Sequence, residues 1–182
     1  MEAYISILRG INVGGNKKIL MEDLRNLYNE LNFKNIRTYI QSGNVIFDCE
    51  KTNPNQLENT IEDKISEKFK FQVPVIIRTT FKLQEIINNN PFLRENNVDV
   101  EKLHITFLSA KPESIKMEEI KKYDYKPDRF FCSDKAVYVY CPNGYGNTKL
   151  NNTFFENKLG VKATTRNLKT VKELVRIAKS NV

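Results

Sequence analysis

The 182-residue sequence has one histidine and three cysteines, and that scarcity removes several chemistries at once. A Cys/His metal cluster has no donors to draw on: His104 stands alone, and Cys49, Cys132 and Cys141 form no CxxC pair. An odd cysteine count gives no disulfide framework, and each thiol falls in or beside an apolar strand pattern, where cysteine behaves as a small core residue. No GxSxG elbow is present, so a serine-hydrolase nucleophile has no seat. No run approaches the ~20 apolar residues of a membrane span. Met1-Glu2-Ala3 is acidic, and the apolar run from Tyr4 stops at Arg9, which does not read as a signal peptide. The expectation is a cytoplasmic, reduced protein with no metal, no cofactor and no membrane partner. A chain of this length buries roughly 70% of its unfolded surface, so its core needs no covalent staple.

What is present is an uneven positive charge. The net charge of +7 splits into 12 basic against 11 acidic residues over 1–91 and 17 against 11 over 92–182. The last 48 residues hold nine basic groups and two acidic ones, Glu156 and Glu173. Such an excess attracts phosphates or nucleic acid, although lysine on a solvated surface serves solubility equally well.

Periodicity orders the elements. Ala3–Leu8 alternates as a strand, and Leu24, Leu27, Tyr28 and Leu31 recur at helical spacing. Ile36–Ile40 and Val45–Cys49 flank the turn Gln41-Ser42-Gly43-Asn44. Asn53 before Pro54 starts a helix carrying Leu57, Ile61, Ile65 and Phe69; Val73–Arg78 is a strand, and Thr80 caps a helix with Leu83, Ile86 and Ile87. The second half repeats this order. Leu103–Ser109, Arg129–Cys132, Ala136–Cys141 and Val161–Thr165 read as strands. Pro112 opens a short helix, Leu150 to Leu159 form another stopped by Gly160, and Asn167 caps a last one.

The fold class expected is α+β: two ferredoxin-like βαββαβ units made by duplication, each followed by a trailing helix, over residues 1–91 and 92–182. The rival is one continuous sheet shared by both halves. Ferredoxin-like sheet order, 4-1-3-2, puts the end of the first strand beside the hairpin after the second.

Three segments carry a resemblance. Leu8-Arg9-Gly10-Ile11-Asn12-Val13-Gly14-Gly15, Tyr39-Ile40-Gln41-Ser42-Gly43-Asn44 and Thr165-Arg166-Asn167 with Thr170-Val171 together resemble the bacterial family known as domain of unknown function 1697. The resemblance implies the duplicated α+β architecture and no activity. The family pattern places an aromatic after the Arg-Asn pair, where Leu168 stands here, and a small polar residue before Lys149, which Thr148 matches loosely.

Two glycine-rich loops run from a strand to a helix, the usual setting for an anion on backbone N–H groups. In the first, Gly10 and Gly15 match the spacing of P-loop glycines, but Asn16 and Lys17 stand where Lys and Ser/Thr are required, so no nucleotide triphosphatase loop exists. Its candidate anion contacts are Arg9, Asn12, Gly14 and Gly15, with Gln41, Ser42 and Asn44 from the neighbouring turn. In the second, Gly144, Gly146, Asn147 and Lys149 are expected beside Thr165, Arg166 and Asn167, bringing two helix N-termini and two cations together. Lys149 opposes the helix macrodipole unless an anion sits there. Tyr138 and Tyr140 alternate with valines on a central strand and are candidates for base stacking, in the manner of RNA-recognition motifs, although the RNP1 pattern is missing.

No catalytic constellation emerges. His104 lies in a central strand, Asp23 belongs to a helix's acidic first turn, and Glu118-Glu119 are charged surface. Three readings stand: a protein binding a small phosphate- or carboxylate-bearing ligand, a single-stranded nucleic-acid-binding protein, and an enzyme of phosphorylated metabolites working through Arg, Lys, Asn and backbone donors. The oligomeric state is open.

Overall fold

The computed structural model describes residues 1–180. Its regular elements are β1 (Glu2–Leu8), α1 (Met21–Glu30), β2 (Lys34–Tyr39), β3 (Asn44–Cys49), α2 (Pro54–Phe69), β4 (Val75–Thr79), α3 (Thr80–Asn88), β5 (Leu103–Leu108), α4 (Ser114–Ile120), β6 (Arg129–Cys132), β7 (Ala136–Tyr140), α5 (Asn152–Leu159), β8 (Ala163–Asn167) and α6 (Leu168–Lys179). The strands form two separate four-stranded sheets, ordered β2-β3-β1-β4 and β6-β7-β5-β8, and every pairing is antiparallel. One continuous sheet is therefore excluded. By contacts the chain divides into two compact units, residues 1–84 with the segment from Glu173 onward, and Glu85–Lys172; the division points fall inside α3 and α6. No helix among the described residues is long and apolar enough to cross a membrane.

In the first unit, Tyr4 and Leu8 of β1, Val45 and Phe47 of β3, and Val75 and Ile77 of β4 face one side of the sheet. Leu24, Leu27 and Tyr28 of α1 and Leu57, Ile61 and Ile65 of α2 close over them at helical spacing. One polar pair lies in this layer, the Ser6 Oγ and Tyr28 Oη hydroxyls 2.7 Å apart, and burial pushes the Tyr28 phenol well up. The second unit repeats the layering: Val137, Val139, Leu108 and Ala163 pack under Phe155 and Leu159 of α5 and Ile120 of α4.

The helices end where the sequence punctuates them. The Asn53 side chain accepts from the Asn55 N–H at 3.0 Å, the Asn167 side chain from the Lys169 N–H at 2.8 Å, and Gly160 closes α5 at φ 70°. Three starts differ from expectation. The residue capping α3 is Thr79, whose hydroxyl accepts from the Lys82 N–H at 3.2 Å, because β4 runs one residue beyond Arg78. Leu150 precedes its helix, since Asn151 takes the N-cap by accepting from Phe154. Pro112 likewise lies outside α4, which begins at Ser114.

One edge of each sheet is closed by the helix packed beside it. Glu62 and Glu58 of α2, four residues apart, accept from the Val75 and Ile77 N–H groups of β4 at 2.7 and 2.8 Å. In the second sheet Glu156 of α5 accepts from the Ala163 N–H of β8 at 3.0 Å, and Asn152, four residues earlier, accepts from the Thr165 hydroxyl at 2.7 Å. The Glu58, Glu62 and Glu156 carboxylates thus occupy backbone donors of the edge strands, while Asn152 holds a side-chain hydroxyl of β8.

Candidate functional site

The first glycine-rich loop meets the hairpin turn as its topology demands. The Leu8 N–H donates to Gly43 O at 2.8 Å, and Asn12 Nδ2 donates to Gln41 O at 2.9 Å. The amide groups assembled there are turned on the chain itself. Asn12 also donates from Nδ2 to Ile19 O and accepts from the Ile19 N–H, both at 2.9 Å. Asn44, fully buried, donates to Tyr39 O and to the Ser42 hydroxyl. Gly14 and Gly15 form the tip of a small hairpin bridged by Val13 and Asn16, and α1 begins only at Met21. The loop thus does not lead directly into the helix N-terminus. Arg9 directs its backbone N–H to Pro74 O at 2.9 Å. The opening left at this end is a cleft of about 440 Å³ lined by Asn12, Gly15, Lys18, Ile19, Leu20, Met21 and Gln41.

The second group separates. Gly144, Asn147 and Lys149 line a cleft of about 510 Å³ together with Asn143 and the segment Asp124–Asp128. Gly146 is exposed and does not line it. Thr165, Arg166 and Asn167 lie elsewhere, on β8 at the sheet edge opposite β6. Thr165 reaches Asn152 of α5 and Thr106, so strand alternation turns Arg166 to the other face. There its Nη1 donates to the Thr164 hydroxyl and to Thr165 O. Asn167 donates to Glu101 O at 3.0 Å while capping α6. The expected convergence of Lys149 with Arg166 is therefore not found: Lys149 lies over Tyr125, which packs on Phe154 of α5, whereas Arg166 follows Thr165 on β8 with its side chain turned from the α5 face and does not line this cleft. Lys149 also sits two residues before the Asn151 N-cap, outside the first turn of α5.

Within the cleft the charges are unequal in their engagement. Lys126 pairs with Asp124 at 3.1 Å, and this contact holds the Asp124 carboxyl below the usual carboxylate range. Asp128 accepts a 2.6 Å hydrogen bond from the Thr148 hydroxyl, whose Oγ also accepts from the Leu150 N–H. Lys149 is exposed, and its ammonium lies 5.7 Å from the centre of the Tyr125 ring with no carboxylate partner among the described residues. Sequence reasoning missed Tyr123, Tyr125 and Lys126. Their signal is visible in Tyr123-Asp124-Tyr125-Lys126-Pro127-Asp128, where rings alternate with charges ahead of a strand, outside any glycine loop.

The stacking assignment of Tyr138 and Tyr140 is corrected by burial. Tyr138 is 2% exposed and donates its hydroxyl to Ile86 O at 3.0 Å, so its ring offers no face to a base. Tyr140 is half-buried, with the Arg129 guanidinium 5.3 Å from its ring centre and Phe92 packed at 6.1 Å. The segment after α3 covers this face of the second sheet, which alternation alone cannot reveal. The thiols of Cys132 and Cys141 are pushed up to about 11 by burial, which keeps them protonated and unreactive at neutral pH.

His104 stacks on Tyr145 of the second loop, ring centres 4.7 Å apart, with Nδ1 3.2 Å from Lys102 O. Burial lowers its pKa from 6.5, so the unfolded chain takes up the proton first as pH falls. Its contribution to stability is present above the unfolded value and is lost as pH drops below 6.5 toward the lower folded value. Urea unfolding across that window should show stability falling with acid, and His104→Phe should flatten this slope; an unchanged slope in the variant would assign it to other groups.

A family model described as "Protein of unknown function (DUF1697)" matches residues 1–138 and stops within β7, before the Gly144–Lys149 loop. No curated protein matches the chain. Among solved structures, a conserved bacterial protein, SP0830 from Streptococcus pneumoniae, is similar at 19% identity with a TM-score of 0.73, over 97% of this chain and 98% of that one. At that identity the likeness concerns the fold. With three quarters of its length matched by the family model, this chain belongs to that family of proteins of unknown function.

Proposed function

We propose that the protein binds a small phosphate- or carboxylate-bearing ligand in the cleft between the Gly144–Lys149 loop and the Asp124–Asp128 segment. The observation that carries this reading is Lys149: an exposed ammonium over Tyr125, unmatched by a carboxylate, where the cleft's two acids already accept from Lys126 and Thr148. A ligand oxygen supplies the missing acceptor, and neutral donors lie nearby in the Asn143 side-chain amide and in the second N–H of Asn147, whose first donates to Asn143 O at 3.0 Å. The reading also takes the two units as duplicated ferredoxin-like βαββαβ folds in a cytoplasmic protein. It is supported by the matching strand orders and by the matching helix-to-edge contacts of Glu58/Glu62 and Asn152/Glu156.

Pyrophosphate titrated into the protein should raise its melting temperature, since a ligand of the folded state stabilises it by RT ln(1 + [L]/Kd). A hydrogen bond to a charged group contributes about 1.5–3 kcal/mol. Lys149→Ala should therefore weaken the affinity by roughly 10- to 150-fold, measured calorimetrically. Equal affinity in the variant would remove the cleft as the binding site.

A further inference from the structure

Resting on that reading of the cleft, we infer that the anion it receives is the phosphodiester of a single-stranded nucleic acid, whose bases lie on Tyr123 and Tyr125. A second cleft of about 530 Å³ adjoins the first, and Asp124, Tyr125, Lys126 and Asp128 line both. The second cleft is also lined by Arg129, Phe130, Phe131 and Cys132 of β6, the outer strand of its sheet. Two adjoining clefts suit an extended chain better than a compact metabolite.

The lining of the second cleft is aromatic and packed. The Tyr123 and Tyr125 rings are nearly parallel, 15° apart with centres 6.3 Å from each other. Phe154 meets both edge-on, at 85° and 84°. Phe154 is itself wedged against Phe130 and Phe155 of the core, so the pair is held in place before any ligand arrives. Tyr123 is 38% exposed, unlike the closed Tyr138. Bases of any sequence present a π-face to such rings.

Cations sit against the rings, the Lys158 ammonium 4.4 Å from the centre of Tyr123 and the Lys149 ammonium 5.7 Å from that of Tyr125, and a stacking base would exchange with them. Lys149 lies over Tyr125, Lys158 donates to the Tyr123 hydroxyl at 2.6 Å, and Lys121, Lys126 and Arg129 line the second cleft. Lys121, Lys126 and Arg129 pair with Glu118, Asp124 and Glu95 on the surface. Exposed pairs of this kind are weak and exchange readily for phosphate. The lining acids, Asp124 and Asp128, are fewer than the lining cations, and both are engaged. Alternating rings and positive charge are the composition by which single strands are held without sequence readout.

The test is fluorescence anisotropy of a labelled oligouridylate of about ten nucleotides, within the span of known single-strand sites, against the full chain. Pyrophosphate calorimetry runs in parallel. The inference expects oligonucleotide binding that falls steeply with salt, by a log–log slope of about −0.7 per phosphate contacted. Tyr123→Ala should weaken it about tenfold while pyrophosphate, held at Lys149, still binds to the folded variant. Tyr123→Leu, which keeps apolar bulk, should act in the same direction, guarding against a folding defect. Lys149→Ala should weaken both ligands. If pyrophosphate binds through Lys149 but the oligonucleotide does not bind, the nucleic-acid inference is overturned and the anion cleft stands. If the oligonucleotide binds equally to both Tyr123 variants, the aromatic platform is wrong and the inference falls. If neither ligand binds, both readings fall together.

Discussion

Gly43→Ala should destabilise the protein by about 2–5 kcal/mol, a large part of the 5–15 kcal/mol available to a folded domain. Gly43 sits at φ +78°, where a side chain is disfavoured by about 1–2 kcal/mol. An added Cβ would also lie 2.8 Å from Leu8 Cβ and 2.8 Å from Ile11 Cδ1. Leu8 cannot retreat easily, because its N–H is bonded to Gly43 O and its side chain is fully buried. The turn has little slack, since Ile40 is itself in the left-handed region at φ +50°. Gly14→Ala is the control: Gly14 is at φ +59° with nothing within 4 Å of the added atom, so only the conformational term applies. Urea denaturation should rank Gly43→Ala clearly below Gly14→Ala, and equal losses would contradict the packing of the turn against β1.

Phe155→Ala should cost about 3–5 kcal/mol, the usual range for emptying an aromatic site in a core. Phe155 is fully buried, with ring contacts to Phe130 at 5.8 Å and Phe154 at 5.2 Å. The consequence extends beyond stability. Phe154 loses its lateral support, and with it the backing of Tyr123 and Tyr125. Calorimetric unfolding should therefore be accompanied by weaker ligand binding even at temperatures where the variant remains folded. A loss below about 1 kcal/mol would mean that the layer between α5 and its sheet is far looser than the core packing of the second unit implies.

Most of the element order is legible in the sequence because its signals are local. Strand alternation in Ala3–Leu8 and helical spacing in Leu57, Ile61 and Ile65 each need only a few neighbouring residues. The same holds for caps such as Asn53, Asn167 and Gly160. The separation into two sheets is not local, and both topologies considered use the same strands. The candidate sites fail or hold for a related reason. Asn12 and Gln41 meet because they follow adjacent strand ends, which sheet order dictates. Arg166 does not reach the cleft of Lys149 because it follows Thr165, which meets Asn152 of α5, and one residue of register reverses a face. Tyr138 illustrates the other limit. Alternation places it on the face away from α5, yet what covers that face is the segment around Ile86, distant in sequence. The pairs Glu58/Glu62 and Asn152/Glu156 do carry a readable i, i+4 spacing, but polar residues at that spacing are common on solvated helix faces. Their role becomes apparent only beside β4 and β8.

The account turns on whether Lys149 and its cleft hold an anion. The most direct measurement is a crystal of the full chain soaked in tungstate, with the anion located by its anomalous scattering. The account predicts the strongest site within hydrogen-bonding distance of Lys149 Nζ, inside the cleft of Asn143, Gly144 and Asn147, and its disappearance in Lys149→Ala. An empty cleft with tungstate bound instead at the Lys18 end of the first unit, or only on scattered surface lysines, would contradict it.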